Sequence, residues 1–199
     1  MAGKGTYKDE QSELYAQLNK FMGLFVKTLM YPVLGINFTR KYHRISDYLA
    51  DYKGFELDRE TKCPIVISNH VTAVDIIIYL GLPRCPSFIA NINIKNVPFV
   101  GPICTLIQSI YVSRNATAES KNDIIDGMSH RVQQIKKGHN FPGILVFPEG
   151  TTNNGLELMT FKRGAFVHNC PIKIYGLQLE QKGVQICLCM VNEWEFLFL

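Results

Sequence analysis

The 199-residue sequence predicts an α/β domain, a mixed central sheet flanked by helices, carried behind an N-terminal amphipathic helical segment. Three features predict it. From Cys63 onward, short apolar runs alternate with helical stretches, the signature of an α/β domain. Residues 14–38 instead repeat apolar side chains at steps of three and four. A chain of 199 residues that is 47% hydrophobic and 19% charged can bury one substantial core, which excludes a disordered polymer. The expected division is a helical membrane-associating segment over 1–58 and a domain over 59–199, short at its C-terminus.

In the first segment Leu14, Leu18, Phe21, Phe25, Leu29, Val33 and Ile36 fall on one helical face, with Gln17, Lys20 and Lys27 on another. The most apolar part, Phe21 to Phe38, is about 27 Å long as a helix, a little short for crossing a bilayer. It also contains Lys27 and Pro32. The basic cluster Arg40, Lys41, His43 and Arg44 follows at once and suits a headgroup layer. The segment therefore reads either as an interfacial or re-entrant helix or as a helix packed on a protein partner, with a full span disfavoured by its length.

In the domain, Pro64–Ser68 reads as a buried strand and Val74–Leu80 as a helix. Ser87–Ala90 and Ser109–Val112 are further strands. Ile124, Ile125, Met128, Val132 and Ile135 stripe a helix over 118–137 that Gly138 ends. Gly143–Phe147, Ile172–Tyr175 and Val184–Met190 complete the expected strands.

The net charge of +4 is spread along the chain without a basic run, which speaks against nucleic acid as a partner. Six cysteines at 63, 85, 104, 170, 187 and 189 form no CxxC pair and no zinc-like spacing. Neither a metal nor structural disulfides are expected, and a reducing compartment is. The start lacks the apolar core and cleavage site of a secretory signal, so export is not expected.

Two constellations carry chemistry. Asn69-His70-Val71-Thr72-Ala73-Val74-Asp75 follows a buried strand directly, which projects His70 from the carboxyl edge of the sheet, where open α/β sheets bind ligands. Asp75, one helical turn on, can hold one ring nitrogen and leave the other as a base for a hydroxyl nucleophile. Phe147-Pro148-Glu149-Gly150-Thr151-Thr152-Asn153-Asn154-Gly155 follows a second strand. Gly150 lets backbone N–H groups approach a phosphate, Thr151 and Thr152 offer hydroxyls, and Glu149 can bind glycerol hydroxyls or a cationic group. Each alone has a bland alternative: a chance His/Asp spacing, and a turn rich in Pro, Gly and Asn.

Together, His70 to Asp75, Ile110-Tyr111-Val112-Ser113-Arg114, Phe147 to Thr151 and Cys170-Pro171-Ile172-Lys173-Ile174 resemble, in order and spacing, the four sequence blocks of the glycerophospholipid acyltransferase (PlsC-like) family. The stretch FPEGTTNNG, followed by Phe161-Lys162-Arg163-Gly164-Ala165-Phe166, is most similar to the branch that reacylates lysophospholipids. The second block departs from the family spacing, with Pro98-Phe99-Val100-Gly101 supplying similar residues upstream.

The resemblance implies a glycerolipid acyltransferase fold and transfer of a fatty acyl group from acyl-CoA or acyl carrier protein to a lysophospholipid or 1-acylglycerol 3-phosphate. His70 is then the general base and Asp75 its orienting partner, with Asn69, Arg114, Glu149, Gly150 and Thr151 binding substrate and Pro171 and Ile172 shaping the strand. It implies no cofactor beyond the acyl-CoA co-substrate, and a bilayer as partner, in the endoplasmic reticulum or mitochondria of a eukaryote. The apolar end Glu195–Leu199 invites a protein partner to cover it. Two alternatives stay open: an acyltransferase-like structural or lipid-binding subunit of a membrane assembly, and a thioesterase using the same base.

Overall fold

The computed structural model describes residues 13–33, 39, 41, 62–72, 75–82, 84–112, 118–153 and 155–178. Strand β1 (Ile65–Ser68) is buried at all four positions. Alternate residues of a strand point to opposite faces, so a strand covered on both sides runs apolar without alternation, here Ile65-Val66-Ile67. It lies between β4 (Ile144–Val146) and β5 (Ile172–Tyr175), and the sheet continues from β4 through β2 (Ser87–Asn91) to β3 (Ile110–Val112), in the order β3-β2-β4-β1-β5.

Each of these neighbours pairs in parallel. The α/β architecture is as the sequence predicts, and the sheet, expected to be mixed, is parallel across the described residues. The expected strand Val184–Met190 lies outside them.

Parallel neighbours need crossovers, supplied by α3 (Asp75–Leu80), α4 (Val100–Leu106) and α5 (Ala118–Lys136). Alternation splits the core into two layers. Ile65, Ile67 and Ile144 face α5, where Met128 and Val132 cover them. Val66 and Leu145 face the other way, onto Tyr79, Leu80, Phe88 and Ile107. Gly138 ends α5 at φ +93°, a left-handed conformation that glycine adopts without steric cost.

The N-terminal helix belongs to this second layer. It runs as α1 (Glu13–Phe25), a π-helical turn over Val26–Met30 and a closing turn, α2 (Tyr31–Val33). Pro32 has no N–H for the carbonyl four residues back and its ring crowds that carbonyl, which accounts for the loss of the regular ladder here. Val26 and Tyr31 are buried in the core, with Met22 and Met30 packed beside them. The Tyr31 hydroxyl donates to the carbonyl of Ile78 at 2.7 Å, and a Cβ at Gly81 would collide with it.

The predicted stripe is the neighbouring face, and it stays exposed: Leu14 by 63%, Phe21 by 68%, Phe25 by 45% and Leu29 by 49%. The helix is thus apolar on two adjoining faces, one docked and one bare. No helix of the described residues is long and apolar enough to cross a membrane. Ile36 and the basic residues Arg40, His43 and Arg44 lie outside the described set.

Candidate active site

The register of the sheet builds the site. Ile67 of β1 pairs with Val146 of β4. Three residues further along each chain stand His70 and Glu149, side by side at the carboxyl edge. The backbone N–H of His70 donates to Oε1 of Glu149 at 3.0 Å. Its carbonyl accepts from the N–H of Asn153, also at 3.0 Å. The two motifs, 79 residues apart, are therefore one structure.

The imidazole is held on two sides. Nδ1 of His70 lies 3.0 Å from Oδ2 of Asp75, and the same oxygen accepts from the N–H groups of Val71 (2.7 Å) and Thr72 (3.0 Å). Asp75 has no solvent exposure, whereas the His70 side chain keeps 18%. The ring of Phe147 stacks on the imidazole, 4.0 Å between centroids and 14° from parallel. With Nδ1 directed at a carboxylate, the tautomer is set and Nε2 is the free acceptor.

Behind this pair Tyr79 donates to Ser68 Oγ. Burial pushes the Tyr79 phenol up to about 12, so it remains a proton donor at neutral pH.

The expected substrate-binding residues separate into three groups. Gly150 and Thr151 lie exposed at the rim, Gly150 at φ +74° under the Lys162 side chain, which a Cβ there would strike. Arg114 lies outside the described residues. Asn69 and Glu149 bond to the protein itself. Asn69 uses both ends of its amide on Leu177, donating to the carbonyl at 2.8 Å and accepting from the N–H at 2.7 Å. That clasp ties the end of β1 to the end of β5. Glu149 is only 2% exposed, and its second oxygen accepts from Asn153 Nδ2 and from the N–H of Met159 at 3.1 Å. Both side chains are engaged by partners within the protein.

Sequence reasoning missed two contributors. Phe147 reads as a strand residue, yet its ring backs the imidazole. Asn153 reads as one of several turn-forming residues, yet it bonds both His70 and Glu149. Only its spacing of four from Glu149 hinted at a role.

Comparisons with known proteins bear on the same region. The family model described as acyltransferase matches residues 51–177. The chain is 38% identical over 121 residues to lysophospholipid acyltransferase LPEAT2 of Arabidopsis thaliana, covering 61% of this chain and 21% of that protein. It is 32% identical over 163 residues to lysophosphatidylcholine acyltransferase 2B of Rattus norvegicus, covering 73% of this chain and 30% of that one. The chain thus spans well under half the length of either relative. The crystal structure of the 1-acyl-sn-glycerophosphate (LPA) acyltransferase PlsC from Thermotoga maritima matches with a TM-score of 0.52 at 18% identity, covering 85% of this chain and 61% of that one. At that identity the likeness is one of fold.

Proposed function

The chain belongs to the acyltransferase family, and from that premise we propose that it moves a fatty acyl group from acyl-CoA or acyl carrier protein to the free hydroxyl of a lysophospholipid or 1-acylglycerol 3-phosphate. The observation that carries the reading is the contact between His70 Nδ1 and Asp75 Oδ2, at 3.0 Å, on the carboxyl edge of the sheet and inside the matched region. The similarity to a lysophospholipid acyltransferase and a lysophosphatidylcholine acyltransferase supports the class of acceptor.

In this mechanism Nε2 of His70 takes the proton of the acceptor hydroxyl as its oxygen attacks the thioester carbonyl. Asp75 stabilises the imidazolium that forms. Collapse of the tetrahedral intermediate expels the thiolate, which recovers the proton from His70. Gly150 and Thr151 at the rim, with Arg114 beyond β3, take the phosphate of the acceptor. The exposed stripe Leu14, Leu18, Phe21, Phe25 and Leu29 lies against the bilayer from which both lipids come.

The test is a purified protein with acyl-CoA and a panel of lyso-acceptors, scored for thiol release and diacyl product. His70→Ala is expected to lower transfer roughly 10²–10⁴-fold with the fold retained. Thiol release with free fatty acid and no diacyl product would establish a thioesterase instead. Lipid binding without thiol release would establish a structural or lipid-binding subunit.

A further inference from the structure

We propose that Glu149 and Asn153 are positioning residues: together they hold the peptide of His70, and neither touches substrate. The inference rests on the reading of His70 as the base. Beyond Ile67 with Val146, the last pair of the β1–β4 ladder, regular pairing between these two strands stops, while β1 pairs with β5 one residue further, at Ser68 with Tyr175. A closed ring of hydrogen bonds joins the two loops that follow β1 and β4. His70 N–H donates to Glu149 Oε1 at 3.0 Å, Asn153 Nδ2 donates to Glu149 Oε2, and the Asn153 N–H donates to the His70 carbonyl at 3.0 Å. Both polar groups of the His70 peptide thus end on the 149–153 loop.

The ring is anchored outside itself. Met159 N–H donates to Glu149 Oε2 at 3.1 Å, Asn153 Nδ2 also reaches the Glu157 carbonyl at 3.2 Å, and Asn153 Oδ1 accepts from Gly155 N–H at 2.6 Å. A carboxylate at 2% exposure is costly unless N–H donors satisfy its oxygens, and here three converge on it. Both oxygens are engaged within the protein and the residue is 2% exposed, which leaves a glycerol hydroxyl little access to it. What the arrangement does fix is the backbone of His70, whose ring Asp75 and Phe147 fix in turn. Displacing a reacting group by about 1 Å can cost on the order of 10²-fold in rate, so such a clasp matters to turnover.

The experiment compares Glu149→Gln and Asn153→Ala, each alone and combined with His70→Ala, in the full chain. The amide that Glu149→Gln introduces offers one acceptor oxygen where three N–H groups converge, so one side of the clasp must open. The expected result for Glu149→Gln is a fall in kcat of roughly 10–100-fold with the acceptor KM changed by no more than about twofold. Asn153→Ala should show the same pattern to a smaller degree, since its backbone bond survives. Because both residues act through His70, adding either change to His70→Ala should lower the residual rate no further.

A raised acceptor KM at retained kcat, or a further loss in the double variant, would place Glu149 on the substrate and overturn the proposal. Unchanged kcat in both single variants overturns it as well. Near wild-type turnover in His70→Ala refutes the base assignment instead, whatever the other variants do. Should Glu149→Gln fail to fold by circular dichroism, the Asn153→Ala pair carries the same comparison.

Discussion

Replacing Asp75 by Asn removes a charge and almost no volume. Oδ2 of Asp75 accepts from His70 Nδ1 and from the N–H groups of Val71 and Thr72, and among the described residues Oδ1 has no partner. The two backbone donors decide how the new side chain sits. Its oxygen must take the Oδ2 position, because an NH₂ group there would face two N–H groups at once. His70 Nδ1 therefore still finds an acceptor, and the tautomer that leaves Nε2 free is retained.

What disappears is the charge that stabilises the imidazolium. A hydrogen bond to a charged group is worth roughly 1.5–3 kcal/mol and a neutral one roughly 0.5–1.5, a difference of about 1–1.5 kcal/mol. Full Coulomb attraction at about 4 Å and an effective dielectric of 20 is about 4 kcal/mol. These bounds correspond to losses of about tenfold and about a thousandfold in kcat. The NH₂ group at the buried Oδ1 position is unpaired, as Oδ1 already is among the described residues of the native protein, so most of the change should fall on kcat and little on stability.

Asp75→Ala also strips the acceptor from Val71 and Thr72, so it should melt lower and turn over more slowly than Asp75→Asn. The assay is diacyl product formation under saturating acyl-CoA, paired with thermal denaturation. A kcat for Asp75→Asn within about twofold of wild type, or an Asp75→Ala protein as stable as Asp75→Asn, would refute this reasoning.

Burial holds the His168 imidazole below its ordinary value of 6.5, so the unfolded chain binds more protons just below that pH and stability falls as pH drops through it. Melting temperatures measured from about pH 8 to about pH 5 should show that loss, and His168→Gln should flatten it. Ile144, with no exposure at the centre of the α5-facing layer, should cost about 2–5 kcal/mol on substitution by Ala, read as a shift in the denaturant midpoint. The double variant Phe21→Ser, Phe25→Ser should keep the fold and lose partition onto phospholipid vesicles, whereas unchanged partition would detach the stripe from the bilayer. Substitution is the proper test here, because removing the whole helix would also strip Val26 and Tyr31 from the core.

Much of the α/β pattern was legible locally. Ile65-Val66-Ile67 announces an interior strand because a strand covered on both faces admits no polar alternation, and β1 is buried at every position. The stripe Ile124, Ile125, Met128, Val132 and Ile135 announces α5, although Ile125 itself stays exposed, and Gly138 announces its end. His70 and Asp75 lie five residues apart, close enough for a motif to anticipate their contact. The family resemblance implies a substrate role for Glu149 and Asn69, and a sequence does not show that three N–H groups converge on Glu149 or that Asn69 bonds Leu177 with both ends of its amide.

The N-terminal helix divides in the same way. Its periodicity is a property of near neighbours, so the sequence by itself announced a helix with an apolar stripe over 14–38, and the described part, 13–33, is helical. Which of two adjoining apolar faces is buried depended on the shape of the surface presented by Tyr79, Leu80 and Leu82, and the docked face proved to be Met22, Val26 and Met30. The parallel register decided the rest: it brought His70 beside Glu149 across 79 residues and Asn69 beside Leu177 across 108. Side-chain spacing is set by bonds along the chain and can be read from it, whereas these pairings exist only once strands distant in sequence lie next to one another.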